Sequence, residues 1–230
     1  MNVLLTRPLN QVKSLEALVN ESGHQAILFP TLKIEALKSA PLKERYDVVI
    51  FISANAVEYG LEALSSLDHN HDQIFAVGAA TAKKLDHHGF KVDAFPQDKA
   101  SSESLLAMGE VKKLSNKDIL IFRGKGGRET LKEGLGSNNV VEYIEVYRRV
   151  RCNVKTLHAE SLTQFLSSKE GVITITSVEN LSTMMSIIEQ INVDAMAHIK
   201  QYPLVVLSDR IKTYAQSVGF NRVEVAPQTN

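Results

Sequence analysis

The stretch ILIFRGKGGRETLKEGLGSNNVVEYIEVYRR, residues 119–149, decides the fold class. Its first four residues, 119–122, are apolar and partly β-branched, which predicts a buried strand, and residues 140–147 predict a second one. Between the strands lie a glycine-rich loop and a helical pattern with Leu131 and Leu135 on one face. Parallel strands need a crossover of this kind, so the stretch predicts a βαβ unit.

The loop RGKGGR at residues 123–128 is a candidate anion site. Glycine lets the backbone approach a ligand closely, and free N–H groups at a helix start attract negative charge. The loop matches neither GxxxxGK[ST] nor GxGxxG, so it is not a nucleotide phosphate loop. The alternative from the loop alone is a tight turn with solvated basic side chains, and both interpretations stay open at this point.

The charge balance argues against nucleic acid as a ligand. The 230 residues include 26 Lys plus Arg and 26 Asp plus Glu, and aromatic residues make up only 6%. No net positive field is available to hold a polyanion, and few rings are available to stack on bases. An anionic ligand must meet a local cluster of donors, which favours a small acidic metabolite. The length is compatible with one large domain or two small ones.

The N-terminal sequence and the cysteine content predict a cytoplasmic protein without a membrane segment. The opening MNVLLTRP has an apolar run only at residues 3–5, too short for a signal peptide, and no later run approaches membrane-spanning length. Cys152 is the single cysteine, so no intrachain disulfide can form, which agrees with a reducing compartment. No motif surrounds Cys152, which predicts a packing or surface thiol.

The βαβ unit also occurs at the start of the chain. Residues 2–5 and 25–30 predict strands around a helix at 11–21, whose apolar face is Val12, Leu15, Leu18 and Val19. Arg7 then matches Arg123, and Leu15 matches Leu131, each pair 116 residues apart. The unit is therefore duplicated, and residues 34–45 after the first copy predict a connection.

A strand–turn–helix pattern repeats as well. Further strands are predicted at residues 47–52, 73–77, 92–95, 172–176, 203–207 and 223–227. Four of them lead through a turn into a helix, and these turns carry Ser53, Thr81, Ser177 and Ser208. Ser53 and Ser177 occupy equivalent positions. Each half supplies about five parallel strands with helices, enough for one small doubly wound α/β domain.

The histidines do not predict a metal site. His69 and His71 lie in a polar loop, and His87 and His88 end a helix. No cysteine or acidic cluster completes a ligand set of recognisable spacing, so solvated histidines are expected and no metal.

Several segments, in their order and spacing, resemble the uroporphyrinogen-III synthase family. They are VLLTRP at 3–8, FISANAV at 51–57, AVGAATA at 76–82, SSESLL at 101–106, FRGKGGRETL at 122–131, VYRR at 146–149, TSVENL at 176–181 and VVLSDRI at 205–211. The resemblance spans nearly the whole chain, and the RGxGGRE loop followed by VYRR is its most specific part.

This resemblance implies two flavodoxin-like, doubly wound parallel-sheet domains joined by a two-strand hinge, with an interdomain cleft. Residues 1–34 plus 153–230 would form a discontinuous first domain, and residues 37–149 the second, with crossings near 35–36 and 150–152. The duplication alone also allows two consecutive domains, 1–115 and 116–230.

The implied reaction is cyclisation of hydroxymethylbilane to uroporphyrinogen III, with inversion of ring D through a spiro intermediate, in haem and sirohaem biosynthesis. The family is one of cyclising lyases that need no cofactor. The alternative is a two-domain small-anion sensor that binds without turnover. A flavodoxin-like nucleotide or flavin protein would need a cofactor loop that residues 124–129 do not supply.

By resemblance, Tyr147 is the catalytic residue, assisting departure of the substrate hydroxyl. The implied substrate-binding residues are Arg7, Ser53, Thr81, Arg123, Gly124, Gly126, Gly127, Arg128, Ser177 and Ser208. The expected partner is a small linear tetrapyrrole polycarboxylate, with neither nucleic acid nor a membrane. The chain is expected to be a monomer that makes transient contact with the upstream enzyme producing hydroxymethylbilane.

Overall fold

The computed structural model describes residues 1–68 and 73–227. The chain forms two compact units. Unit 1 comprises Met1–Ile34 together with the chain from Val150 onward, and unit 2 comprises Glu35–Arg149. Each unit has its own core, so each is described by itself.

In chain order the described elements are β1 (Asn2–Leu5), α1 (Leu9–Glu21), β2 (Gln25–Leu28), β3 (Leu32–Ala36), β4 (Val48–Phe51), α2 (Ala54–Ser65), β5 (Gln73–Ala76), α3 (Ala79–His87), α4 (Ser102–Ala107) and α5 (Gly109–Lys112). They continue with β6 (Asp118–Gly124), α6 (Thr130–Leu135), β7 (Val140–Arg151), α7 (Thr156–Leu166), β8 (Gly171–Ile175), α8 (Val178–Ile191), α9 (Ala195–Ile199), β9 (Leu204–Val206), α10 (Asp209–Ser217) and β10 (Val223–Val225).

Unit 1 contains a five-stranded sheet in the order β2-β1-β8-β9-β10. All of its strand pairs are parallel, with Leu5 opposite both Leu28 and Thr174. The inner strand β1, second in this order, is buried along its whole length, because helices cover both faces of a parallel sheet. Leu4 and Ile173 pack with Phe165 of α7 in the main core of this unit.

Unit 2 repeats this strand order over four of its five strands. Its sheet runs β3-β7-β6-β4-β5, and the strand pairs from β7 to β5 are parallel. The pairing β7-β6-β4-β5 corresponds to β2-β1-β8-β9 in unit 1, which is the flavodoxin-like order. The predicted duplication therefore appears in strand order as well as in sequence.

Several predicted boundaries differ from the structure. The connection expected at residues 34–45 begins with a strand, β3, and β7 continues to Arg151, so the chain passes between the two units within strands. The strand expected at 92–95 is only a single bridge between Phe75 and Ala94. Leu18, expected on the apolar face of α1, is 60% exposed. Pattern does not determine which apolar residues a neighbouring element covers.

Within residues 1–68 and 73–227, no helix has the length and apolar character needed to cross a membrane.

Candidate functional site

In unit 2, a hydrogen bond joins Tyr147 of β7 to Ser53, the N-cap residue of α2. Ser53 precedes α2, and its Oγ accepts the N–H of Ala56 at 3.0 Å, as an N-cap serine does. The same Oγ lies 3.1 Å from the hydroxyl of Tyr147. Helix α2 follows β4, so the contact lies where parallel strands end and helices begin, the usual ligand-binding edge of such sheets.

Tyr147 packs closely against the end of β6. Its ring is 4% exposed, and its backbone pairs with Gly124 after a register shift between Arg123 and Gly124. A Cβ atom on Gly124 would lie 2.5 Å from Cζ of Tyr147. Gly124 is thus required for the ring to occupy this place, which gives it a packing role.

Arg123 differs from the exposed cation that the sequence predicted. Its side chain is 3% exposed, and its guanidinium pairs with Glu129 at 2.9 Å. It also donates to the carbonyl oxygens of Gly124 and Gly126 and lies 4.2 Å from the ring centroid of Tyr143. Arg123 therefore holds the glycine-rich loop in shape, and its expected role in substrate binding stays a prediction.

The loop donors are only partly available. Gly126 and Gly127 have φ angles of 73° and 114°, which favour glycine. The Gly126 N–H already donates to Glu145 Oε1 at 3.0 Å, so it is not the free donor expected. This contact does show that the amide is placed to bind a carboxylate.

Arg128 is the exposed cation of the loop. Its side chain is 66% exposed and pairs with Glu103 of α4. The N–H of Glu103 itself and the Arg128 guanidinium lower the pKa of the Glu103 carboxyl. An exposed pair of this kind contributes little to stability.

Thr81 lies inside α3 rather than in the turn before it. It is the third residue of that helix, is 4% exposed, and donates its backbone N–H to Gly78. Gly78 is the N-cap, and a Cβ there would lie 2.3 Å from Cβ of Ala100. The turn is therefore tightly packed, and the expected position of Thr81 is corrected.

In unit 1, Ser177 and Ser208 begin helices at the carboxyl ends of β8 and β9. Ser177 Oγ accepts the N–H of Asn180 at 3.0 Å. Ser208 caps α10 without a side-chain cap bond, so its hydroxyl keeps its acceptor capacity. Arg7 follows β1 and is half-buried. These three residues therefore lie at the same edge of one sheet.

A buried polar network in unit 1 was not predicted. The Asn180 amide donates to Thr6 O at 2.9 Å and to Thr31 Oγ1 at 2.6 Å, and the Thr6 hydroxyl lies 2.6 Å from Asn180 Oδ1. Thr6, Thr31 and Asn180 are all fully buried. Threonines after strands were visible in the sequence, but a partner 174 residues away has no local signal.

The remaining chemistry does not add a second reactive group. Burial raises the pKa of the Cys152 thiol, which weakens it as a nucleophile. In the described parts of the chain, no group of three His, Cys, Asp or Glu is placed to hold a metal. His69 and His71 lie outside the described residues. A cavity of about 950 Å³ at the amino ends of the unit 1 strands contains none of the predicted residues.

Comparison with known proteins identifies the family. The family model for uroporphyrinogen-III synthase HemD matches residues 13–230. Uroporphyrinogen-III synthase of Escherichia coli K12 is 27% identical over 98% of this chain and 95% of its own length. The enzyme of that name from Salmonella typhimurium LT2 is 29% identical over the same shares.

Solved structures agree on the fold. Uroporphyrinogen-III synthetase from Helicobacter pylori 26695 superposes with a TM-score of 0.63 at 16% identity, covering 100% of this chain and 93% of that one. A mutant uroporphyrinogen III synthase from the extremely thermophilic bacterium Thermus thermophilus gives 0.54 at 15% identity, covering 99% and 94%. At such identities the likeness concerns the fold alone.

Each unit contains a doubly wound sheet with hydroxyls and amides at the carboxyl ends of its parallel strands, so the chain is a two-unit α/β protein. With residues 13–230 matched, the chain belongs to the uroporphyrinogen-III synthase family of cyclising lyases. The family, fold class and enzyme class predicted from the sequence are thereby confirmed. The site residues and the exact domain limits stay predictions.

Proposed function

We propose that this chain closes hydroxymethylbilane to uroporphyrinogen III with inversion of ring D, in tetrapyrrole biosynthesis, and that Tyr147 assists the first step. Family membership over nearly the whole chain carries the reaction. The hydrogen-bonded Tyr147 hydroxyl, opposite the carboxyl end of β6, supports this role for the residue.

The proposed reaction needs no covalent bond between substrate and protein. The pyrrole nitrogen expels the hydroxyl and leaves an azafulvene cation, and the substituted carbon of ring D attacks it. The resulting spiro intermediate fragments and recloses the other way round. The protein must chiefly hold the acetate and propionate groups so that this folded arrangement outcompetes direct closure.

Tyr147 is suited to the step in which the hydroxyl departs. A phenol can donate a hydrogen bond or a proton to the leaving oxygen, and its near-complete burial keeps bulk water from competing. Because the pyrrole already drives ionisation, we expect a contribution near the low end for general acids, about 100-fold in kcat.

Carboxylate binding is assigned to donors at the strand ends of each unit. In unit 2 these are the exposed Arg128 and the Gly127 amide. In unit 1 they are Arg7 and the helix starts at Ser177 and Ser208. Helix α8 is fourteen residues long, so its free N–H groups and dipole favour an anion.

The decisive experiment supplies hydroxymethylbilane, oxidises the products and separates the type I and type III isomers. We expect type III to predominate with the enzyme present. A mixture containing only type I, as spontaneous closure gives, would show that the proposed function is wrong. A sensor would bind the product without producing type III.

Binding by Arg128 is tested through its salt dependence. Arg128→Ala should weaken product affinity more at low ionic strength than at high, because exposed charges are screened over about 10 Å at 0.1 M salt. Arg222→Ala removes an exposed arginine just before β10, at the opposite edge of a sheet, and is the matched control. Equal affinities for both variants and the native protein would leave Arg128 out of the site.

We also propose a cytoplasmic monomer that meets the hydroxymethylbilane-producing enzyme only transiently. The single cysteine supports a reducing compartment. Sedimentation of the purified chain, alone and with that enzyme, tests the monomer and the contact, and cell fractionation tests the location.

A further inference from the structure

We propose that Ser53 is a positioning residue whose hydroxyl donates to the Tyr147 oxygen and thereby directs the phenol proton toward the leaving hydroxyl. This inference rests on the proposed role of Tyr147. It changes the role of Ser53 from a substrate ligand, as the sequence implied, to a residue that acts through another side chain.

The hydrogen-bond inventory of Ser53 supports this direction. A serine hydroxyl has one hydrogen and two acceptor sites. One acceptor site of Ser53 Oγ is taken by the Ala56 N–H, at 3.0 Å. Tyr147 Oη lies 3.1 Å from the same oxygen, and the geometry allows either hydroxyl to donate. Accepting the Ala56 N–H polarises the Ser53 O–H and strengthens it as a donor, which favours donation from Ser53 to Tyr147 and leaves the phenol hydrogen free.

Gly124 fixes the other side of the pair. Its missing Cβ leaves room for the Tyr147 ring, and the β6–β7 pairing holds the two backbones together. The N–H of Lys125 also donates to the Tyr147 carbonyl at 2.7 Å. These contacts fix the Tyr147 backbone, and the close packing of the buried ring against Gly124 holds the ring beside Ser53.

The proton balance of the step is complete without a co-reactant. The C–O bond of the hydroxymethyl group breaks, its electron pair leaves with oxygen, and the phenol proton converts the departing hydroxide into water. The Ser53 hydroxyl then donates to the phenolate and stabilises it. The hydrogen later lost from the free α-carbon of ring D restores the phenol through solvent.

A double-mutant cycle on kcat for type III product tests the pairing. Tyr147→Phe should lower kcat about 100-fold, and Ser53→Ala about tenfold, with KM unchanged within about twofold. In the Tyr147→Phe background, Ser53→Ala should have no further effect, because no phenol remains to be oriented. A structural role for Ser53 predicts the same factor in both backgrounds.

Two variants separate the cap from the catalytic contact. Ser53→Thr keeps both the cap oxygen and the hydroxyl hydrogen and should restore kcat to within about threefold of native. Ser101 caps α4 of the same unit with the same geometry, its Oγ accepting the Ser104 N–H at 3.0 Å. Ser101→Ala should lose a similar amount of stability and leave kcat nearly unchanged.

The outcomes distinguish this proposal from the function beneath it. Additive losses in the cycle, or an unchanged kcat in Ser53→Ala, overturn the positioning role while type III formation by the native chain stands. An unchanged kcat in Tyr147→Phe overturns the role of Tyr147 and of Ser53 together. Should Ser53→Ala fail to fold, failure of Ser53→Thr to support turnover would overturn the proposal.

Discussion

The two units fill equivalent positions with opposite chemistry. The 116-residue offset places Thr6 of unit 1 at the position of Phe122 in unit 2, and the register agrees, since Leu5 faces Thr174 and Ile121 faces Ile50. Thr6 joins a buried polar network, whereas Phe122 stacks on Phe51 with ring centroids 4.4 Å apart. One topology therefore tolerates either solution.

Residue size also differs at equivalent positions of the helices that follow β4 and β8. Helices α2 and α8 begin at equivalent positions, so Gly60 of unit 2 corresponds to Met184 of unit 1. A large Phe122 meets a glycine, and a small Thr6 has a methionine on its neighbouring helix. Likewise Asn180, which reaches Thr6 and Thr31, corresponds to Ala56. In unit 1 the polar side chains Thr6, Thr31 and Asn180 bond to one another within the core. In unit 2 the corresponding region is apolar, and its polar contact is the Ser53–Tyr147 hydrogen bond.

The largest expected effect concerns independent folding. Residues 37–149 contain β4, β5, β6 and most of β7 and should unfold cooperatively as an isolated α/β unit. Residues 1–115 should not, because they contain β1 without β8 and β4 without β6. Thermal unfolding followed by circular dichroism compares the two. A cooperative transition in 1–115 would favour consecutive domains.

Loss of the buried polar network of Thr6, Thr31 and Asn180 should lower the unfolding free energy of unit 1 substantially. Asn180→Ala leaves the Thr31 hydroxyl and the Thr6 groups without their buried partner, and we expect a loss of about 3 kcal/mol in unfolding free energy. Urea unfolding measures it. Gln190→Ala, on an exposed part of the same helix, should cost well below 1 kcal/mol. Similar losses of unfolding free energy for both variants would show that the network does not stabilise unit 1.

Adding one methyl group beside Phe122 in the apolar core of unit 2 should lower stability by a smaller amount. In Gly60→Ala the new Cβ would lie 2.6 Å from Cδ1 of Phe122, which is buried and stacked. We expect a net loss of about 2 kcal/mol despite the helix preference of alanine. The control is Gly109→Ala in α5, where a Cβ meets nothing within 4 Å and should be neutral or stabilising. Equal stabilities would mean that Phe122 moves freely.

The smallest effect is a difference in acid sensitivity. The Asp118 N–H, and then Lys117, lower the pKa of Asp47, whose unit 1 counterpart is Gly171. A lowered folded pKa adds stability above the unfolded value of about 3.9, and this stability is lost as pH falls through the folded pKa. Asp47→Asn should therefore flatten the acid limb of the unit 2 transition. An unchanged limb would contradict this assignment.

The sequence pattern predicted the strands and helices better than it predicted the contacts between side chains. The apolar runs predicted β1, β4 and β6, and cap chemistry located Ser53 and Ser177 correctly. It did not predict that Arg123 turns inward, because a basic residue in a glycine-rich loop is usually exposed. Nor could it pair Ser53 with Tyr147, which lie 94 residues apart and meet only through the sheet.

The discontinuity of unit 1 also sets an order of folding during synthesis. Strands β1 and β2 emerge first, but β8, the second neighbour of β1, follows only after the whole of unit 2. Because chains fold as they leave the ribosome, unit 2 can form its core while β1 and β2 still wait for theirs. Completed unit 2 then brings the ends of the intervening segment to a fixed separation, which replaces the entropy cost of closing a long flexible loop. Folding of the inserted unit thus makes it easier for β8 to join β1 and β2 in the unit that it interrupts.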